Sequence, residues 1–198
     1  MVENMTTFLK LLIVLSFALA FAHGQTGIWD HVNTRPDPRP ERVTLSKAQF
    51  DATKRALIAA GGTDAWPCDF MGENWTQALI FEDLPVSETE KTMLVEAGLG
   101  CARGGQGSNG AMWVLRFEGQ KPLLLATPKQ EFNGWLYSIQ SAGSHGFRDL
   151  VLGWHMSAME TDLSYFQFDG KLYRLIGTAK LTADADGNTK IAPDPKHN

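Results

Sequence analysis

Three regimes of hydrophobic patterning divide the 198-residue chain. The first is an apolar run, FLKLLIVLSFALAFA over Phe8 to Ala22, followed at once by polar His23-Gly24-Gln25. Its uncharged core of about a dozen residues and the small-x-small ending Ala20-Phe21-Ala22 predict a secretory signal peptide over residues 1–22, cleaved near Ala22 to Gln25. A membrane span needs about 20 apolar residues, so this run is too short to anchor the chain. The expected product is secreted or periplasmic, with no membrane span in the mature form.

The second regime has helical spacing. Ser46-x-x-Gln49 offers a capping box, Phe50, Thr53 and Leu57 recur on one face, and Gly61-Gly62 provides a stop. These signals predict one helix over 46–60. From there the period is two, with Gly, Pro, Asn and Ser as punctuation. Strands are expected over Thr76–Asp83, Thr92–Ala97, Ala111–Glu118, Pro122–Thr127, Gly134–Ser141, Arg148–Trp154, Leu163–Phe168 and Lys171–Ile176.

Three of these strands carry finer expectations. Asp149-Leu-Val-Leu-Gly-Trp154 is apolar on both sides up to the glycine, which predicts a central strand covered on both faces, with the helix as one cover. In Gly134–Ser141, Trp135, Tyr137 and Ile139 alternate with Leu136, Ser138 and Gln140 and predict a single buried face. Asp169-Gly170 predicts a two-residue type I′ hairpin that sets Phe168 opposite Lys171, Phe166 opposite Tyr173 and Tyr165 opposite Arg174.

No helices alternate with the strands, so a βαβ arrangement is excluded. The fold class expected is α+β, mainly β: antiparallel sheet of about 7–8 strands with one N-terminal helix. Residues 44–181 form the single globular domain. Residues 23–43, with Pro36, Pro38 and Pro40 among charges, read as a Pro-rich arm held only by Ile28, Trp29 and Val32. Residues 182–198, rich in Asp, Pro and Lys, read as a flexible tail.

Composition narrows the function classes. Eighteen Lys plus Arg against 22 Asp plus Glu give a net charge of −4, without the basic field of a nucleic-acid binder. Removing residues 1–22 takes away one acid, Glu3, and one base, Lys10, so the charge is unchanged. Export turns the two cysteines, Cys68 and Cys101, into an expected disulfide. A closure of about 30 residues contributes roughly 3–4 kcal/mol in the chain-entropy model. A reactive thiolate would need an activating base, and both His145 and His155 are distant in sequence.

The chemistry-bearing motifs are few. Gly98 to Gly110 holds six glycines and contains a G-x-G-x-x-G string at Gly105, Gly107 and Gly110, but a strand follows where the dinucleotide motif needs a helix. The loop is either a long connection or an exposed set of amides that, with Arg103, Ser108 and Asn109, cradles an anion or peptide carboxylate. Gly143 to Glu160 gathers His145, His155, Ser144, Ser157, Asp149 and Glu160, the ingredients of nucleophilic catalysis without a G-x-S-x-G elbow. The simpler reading has Asp149 capping the turn into the strand, His155 at its end, and Ser157–Asp162 as a loop. His145, His155, Glu160 and Asp162 match no zinc spacing. Asp184-Ala-Asp186-Gly-Asn188 lacks the twelfth-position glutamate of a calcium loop, since Pro193 falls there. Asn74-Trp75-Thr76 fits a glycosylation acceptor. No metal and no cofactor are expected.

The segments Gly146-Phe-Arg-Asp-Leu-Val-Leu-Gly153 and Tyr165-Phe-Gln-Phe-Asp-Gly-Lys-Leu-Tyr173 resemble those of small secreted bacterial proteins of unknown function with FG-GAP-like strand and hairpin motifs. The resemblance covers about residues 76–177 and implies fold and export. Ser144-His-Gly-Phe stands where a calcium-binding FG-GAP blade carries its acidic loop, so metal binding is not implied.

The functional expectation is an exported, non-catalytic binding domain for a protein, peptide or glycan at the cell envelope, possible forms being an inhibitor- or immunity-like protein. Its expected contacts are Arg103, Ser108, Asn109, Trp154, His155 and Glu160. The competing expectation is a secreted hydrolase using His145 or His155 with Asp149 or Glu160.

Overall fold

The computed structural model describes residues 27–60, 79–97 and 109–194. The expected disulfide of Cys68 with Cys101, the helix stop at Gly61-Gly62, Asn74-Trp75-Thr76, Arg103, Ser108 and the signal peptide lie outside the described residues.

Helix α1 (Lys47–Ala60) begins where the capping signal places it. The Ser46 hydroxyl accepts from the Gln49 amide, and Gln49 Oε1 accepts from the Ser46 amide, both at 3.3 Å. Nine strands follow: β1 (Leu79–Asp83), β2 (Thr92–Ala97), β3 (Gly110–Glu118), β4 (Lys121–Ala126), β5 (Asn133–Ser144), β6 (Phe147–Ser157), β7 (Glu160–Phe168), β8 (Tyr173–Ala183) and β9 (Thr189–Pro193). All pairings are antiparallel, and β1-β2-β3-β5-β6-β7-β8-β9 is the order across one sheet, with β4 also on β3. The mainly-β class read from the sequence therefore holds.

Strand β3 divides the sheet into two halves. Its residues Val114 to Glu118 pair with β4, whereas only Gly110 and Ala111 pair with β5, opposite Gly134 and Asn133. Across this narrow seam the halves fold toward each other. Leu94, Met112, Val114 and Leu125 from the first half share one core with Leu150, Leu152, Phe166 and Phe168 from the second. Phe132, in the connection between β4 and β5, meets Phe166 edge-on at 4.9 Å.

Each outer face has its own cover. Over β1–β4, α1 lays Leu57 and Phe50 on Phe81, Met93, Val95 and Leu115. The expected helix cover over β6 is instead the arm: Trp29 and Val32 are buried on Tyr137, Val151, Leu163 and Tyr165, with Trp29 edge-on to Tyr165 at 5.7 Å. Strand β6 is covered on both faces as its composition requires.

Four further expectations need correction. The arm is held at more points than Ile28, Trp29 and Val32: Asp37 bonds Tyr137 and Ile139, and Glu41 and Val43 bond Asp83 and Phe81 at the β1 edge. The β5 alternation breaks at a bulge between Leu136 and Ser138, so Tyr137 faces the arm while Leu136 and Ile139 pack on the inner core. The hairpin after β7 has a four-residue loop, and Phe168 opposes Tyr173, Gln167 opposes Arg174 and Phe166 opposes Leu175. Its cause is the Asp169 carboxylate, which accepts from the amides of Lys171 and Leu172 at 2.8 Å and so holds the chain in a wider turn. Finally, residues 182–198 are not simply a tail, because Thr189–Pro193 forms β9 along β8.

Candidate functional site

The inner face of β6–β9 is apolar only where the first half of the sheet covers it. Along β6, Leu150 and Leu152 give way to Trp154, and along β7 Phe166 gives way to Ser164 and Asp162. The register then aligns a polar row: Trp154 opposes Asp162, Asp162 opposes Lys180, and Lys180 opposes Ala192. The neighbouring row sets Ser164 opposite Thr178, whose carbonyl accepts from the Asp194 amide at 2.9 Å. This floor and a wall of Glu131 and Asn133 bound a cavity of about 660 Å³.

Its charged groups are mostly carboxylates, set beside an aromatic ring. Three carboxylates, Glu131, Asp162 and Asp194, line it against one ammonium, Lys180, and Lys180 is bonded to Glu160. That bond raises the Lys180 pKa. Burial raises the Asp162 carboxyl, Lys180 works against that, and the charges of Glu160 and Asp194 add to it. Asn133 Oδ1 and Thr178 Oγ1 are buried and have no hydrogen-bond partner among the described residues. Trp154 is 36% exposed, and beyond it Met156 and Met159 stand 55% and 45% exposed at the β6–β7 turn.

Of the expected contact residues, Asn109, Trp154, His155 and Glu160 are described. Trp154 lines it, and Glu160 reaches it through Lys180. His155 opposes Thr161 in the same hairpin, one residue from Trp154. Asn109, where the description resumes after the glycine-rich segment, clasps the His155 main chain: its Nδ2 donates to the carbonyl at 2.9 Å and its Oδ1 accepts from the amide at 2.7 Å. The Asn109 amide is thus engaged within the fold. Asp162, Lys180, Thr178, Asn133, Glu131 and Asp194 were not among the expected contacts, because their convergence depends on strand register rather than on any local motif.

The catalytic ingredients are dispersed. His145 sits with Gly146 in a two-residue turn, both at positive φ (51° and 78°), and lies roughly 30 Å along β6 from His155. Neither imidazole is paired with a carboxylate or a serine oxygen among the described residues. Asp149, read as a turn cap, is instead buried within β6, and its Oδ2 accepts from Tyr165 Oη at 3.2 Å and Gln167 Nε2 at 3.3 Å. Burial raises its pKa against those two bonds. The loop read over Ser157–Asp162 is a tight turn, with β7 already under way at Glu160. Among the described residues no three His, Cys, Asp or Glu side chains cluster as a metal site.

Two further cavities, of about 490 and 710 Å³, flank His145. Their polar side chains are largely engaged with the protein: Arg116 with Glu90 and Glu118, Ser144 with the Phe168 carbonyl, and Arg148 with the carbonyls of Gln140 and Ile139. No helix among the described residues is long and apolar enough to cross a membrane. No protein-family model, curated protein or solved structure matches the chain.

Proposed function

We propose that this chain is an exported, non-catalytic binding domain whose ligand seats in the 660 Å³ cavity at the polar end of the inner face. The observation that carries the reading is the lining: a half-open tryptophan beside the carboxylates of Glu131, Asp162 and Asp194 and the ammonium of Lys180 in one concave wall. A concave wall that sets a few polar groups beside an aromatic ring has the usual form of a ligand site. The ligand is a protein, peptide or glycan, and an inhibitor- or immunity-like role is one form of it. The apolar run Phe8 to Ala22 supports export, and an oxidising destination supports a Cys68–Cys101 bridge.

Hydrolysis by His145 or His155 with Asp149 or Glu160 is the weaker reading. Proton transfer needs hydrogen-bond reach, and these groups lie on opposite ends of β6, in a buried network, or in an ion pair.

The test is a peptide and glycan panel probed with the mature protein and with Trp154→Ala. The expected result is retention of one ligand class by the wild type and its loss in the variant. Equal retention by Trp154→Ala would remove the cavity from the reading. Turnover of ester, peptide or glycoside substrates that disappears in Asp149→Asn would overturn the non-catalytic assignment. Intact mass of the exported protein, with and without reductant, reports cleavage near Ala22 and the disulfide.

A further inference from the structure

We infer that the cavity recognises a basic side chain, an ammonium or guanidinium group, presented on a peptide with apolar neighbours. The inference rests on the binding reading above and adds the ligand's chemistry.

The donor and acceptor inventory sets the charge. The carboxylates of Glu131, Asp162 and Asp194, when ionised, only accept and carry negative charge. The cationic donor of the lining, Lys180 Nζ, is bonded to Glu160, and the other side-chain donors, on Asn133, Trp154, Ser164 and Thr178, are neutral. A ligand complementary to such a lining brings donors and positive charge, which is the inventory of lysine and arginine side chains. The Trp154 ring supplies the remaining element, since a cation over an indole face gains from the ring quadrupole, most of all when partly desolvated. Asp162 accepts no hydrogen bond from the described residues; burial first, and then the charges of Glu160 and Asp194, disfavour its ionised form, with Lys180 acting the other way. A bound cation relieves that repulsion.

The flank sets the carrier. Met156 and Met159 lie two and five positions beyond Trp154, and both are exposed at the hairpin turn. Methionine surfaces adapt to varied apolar partners. A peptide that places a basic residue in the cavity brings neighbouring side chains for this patch, whereas an amino sugar has none to offer. An exposed apolar turn beside an acid-lined cavity is therefore complementary to a basic residue flanked by leucine-like side chains.

The experiment is calorimetric titration of the mature protein with four probes: acetyl-Leu-Arg-Leu-amide, the same peptide with citrulline for arginine, chitosan disaccharide and its N-acetylated form. Binding of the arginine peptide with at least about tenfold loss on citrulline replacement is expected, as is a similar loss in Asp162→Asn. Lys180→Gln is expected to tighten binding severalfold, the opposite sign from a damaged fold. Equal affinity for the citrulline peptide, or Lys180→Gln weakening the arginine peptide while its melting temperature is unchanged, overturns the inference. Binding of a sugar in preference to the arginine peptide, lost in Trp154→Ala, overturns the inference while the binding reading stands. If none of the four probes binds and the wider panel is also empty, both fail.

Discussion

Replacing Trp29 by alanine tests whether the N-terminal arm belongs to the fold. The side chain is 5% exposed, set edge-on to Tyr165 and packed with Val32, Tyr137, Val151 and Leu163. A buried tryptophan removes about 150–250 Å² from water, which at roughly 25 cal/mol per Å² is about 4–6 kcal/mol before allowance for a compact unfolded chain. With that allowance the expected loss is about 3–5 kcal/mol, in the range typical of Trp→Ala in a core. Asp37, between Pro36 and Pro38, and Glu41 and Val43, beyond Pro40, tie the arm to the sheet, which limits how far the arm can drift to close the cavity. Urea unfolding followed by fluorescence measures the loss, with His31→Ala, an exposed change on the same arm, expected to stay within about 0.5 kcal/mol. A loss for Trp29→Ala below about 1 kcal/mol would refute the reasoning, because it would mean the arm sits on a sheet that is stable without it.

Two other outcomes follow from buried groups and backbone geometry. Burial raises the Asp149 carboxyl, so from pH 3.8 upward to that raised value the unfolded chain binds fewer protons than the folded one, and stability falls as pH rises. Asp149→Asn keeps one oxygen to accept from both Tyr165 and Gln167, and its stability relative to wild type is expected to improve between pH 4 and pH 8; a gap independent of pH would contradict this. Gly134 has φ +110°, and a Cβ there would lie 2.1 Å from the Gly153 carbonyl oxygen, whereas Gly119 at φ +62° faces open space. Gly134→Ala is expected to cost more than about 3 kcal/mol and Gly119→Ala about 1 kcal/mol in thermal unfolding; similar melting temperatures would count against the seam's need for glycine.

The parts of this fold that sequence reveals are those whose causes are local. Helix α1 is written in Ser46, Gln49 and the Phe50–Leu57 stripe, and β2 in the apolar run Met93-Leu94-Val95. What escaped depends on partners far along the chain. The Ile139 amide at the β5 bulge donates to Asp37, 102 residues earlier, and nothing near either residue signals the pair. Extra residues at bulges flip the parity that alternation relies on, as at Tyr137 in β5 and between Tyr165 and Phe166 in the β7–β8 ladder. Asp-Gly correctly marks a turn, but the Asp169 side chain, not the dipeptide, sets its width. Strand β9 offers Ile191 alone as an apolar residue besides Ala192 and Pro193, too little for a period. The candidate site follows the same rule: Trp154 was legible at a strand end, while Asp162, Lys180 and Thr178 became its neighbours only through the register of three strands.

The arm also sets a sequence in time. A ribosome releases Trp29 and Val32 long before it releases Val151, Leu163, Tyr165 and Ala179, the surface on which they rest. The earliest anchor of the molecule therefore waits for nearly the whole chain, and the last strands to emerge are the ones that fasten the first. Any truncation that removes β7 or β8 leaves an exposed tryptophan at the front of the protein, not a smaller version of the same fold.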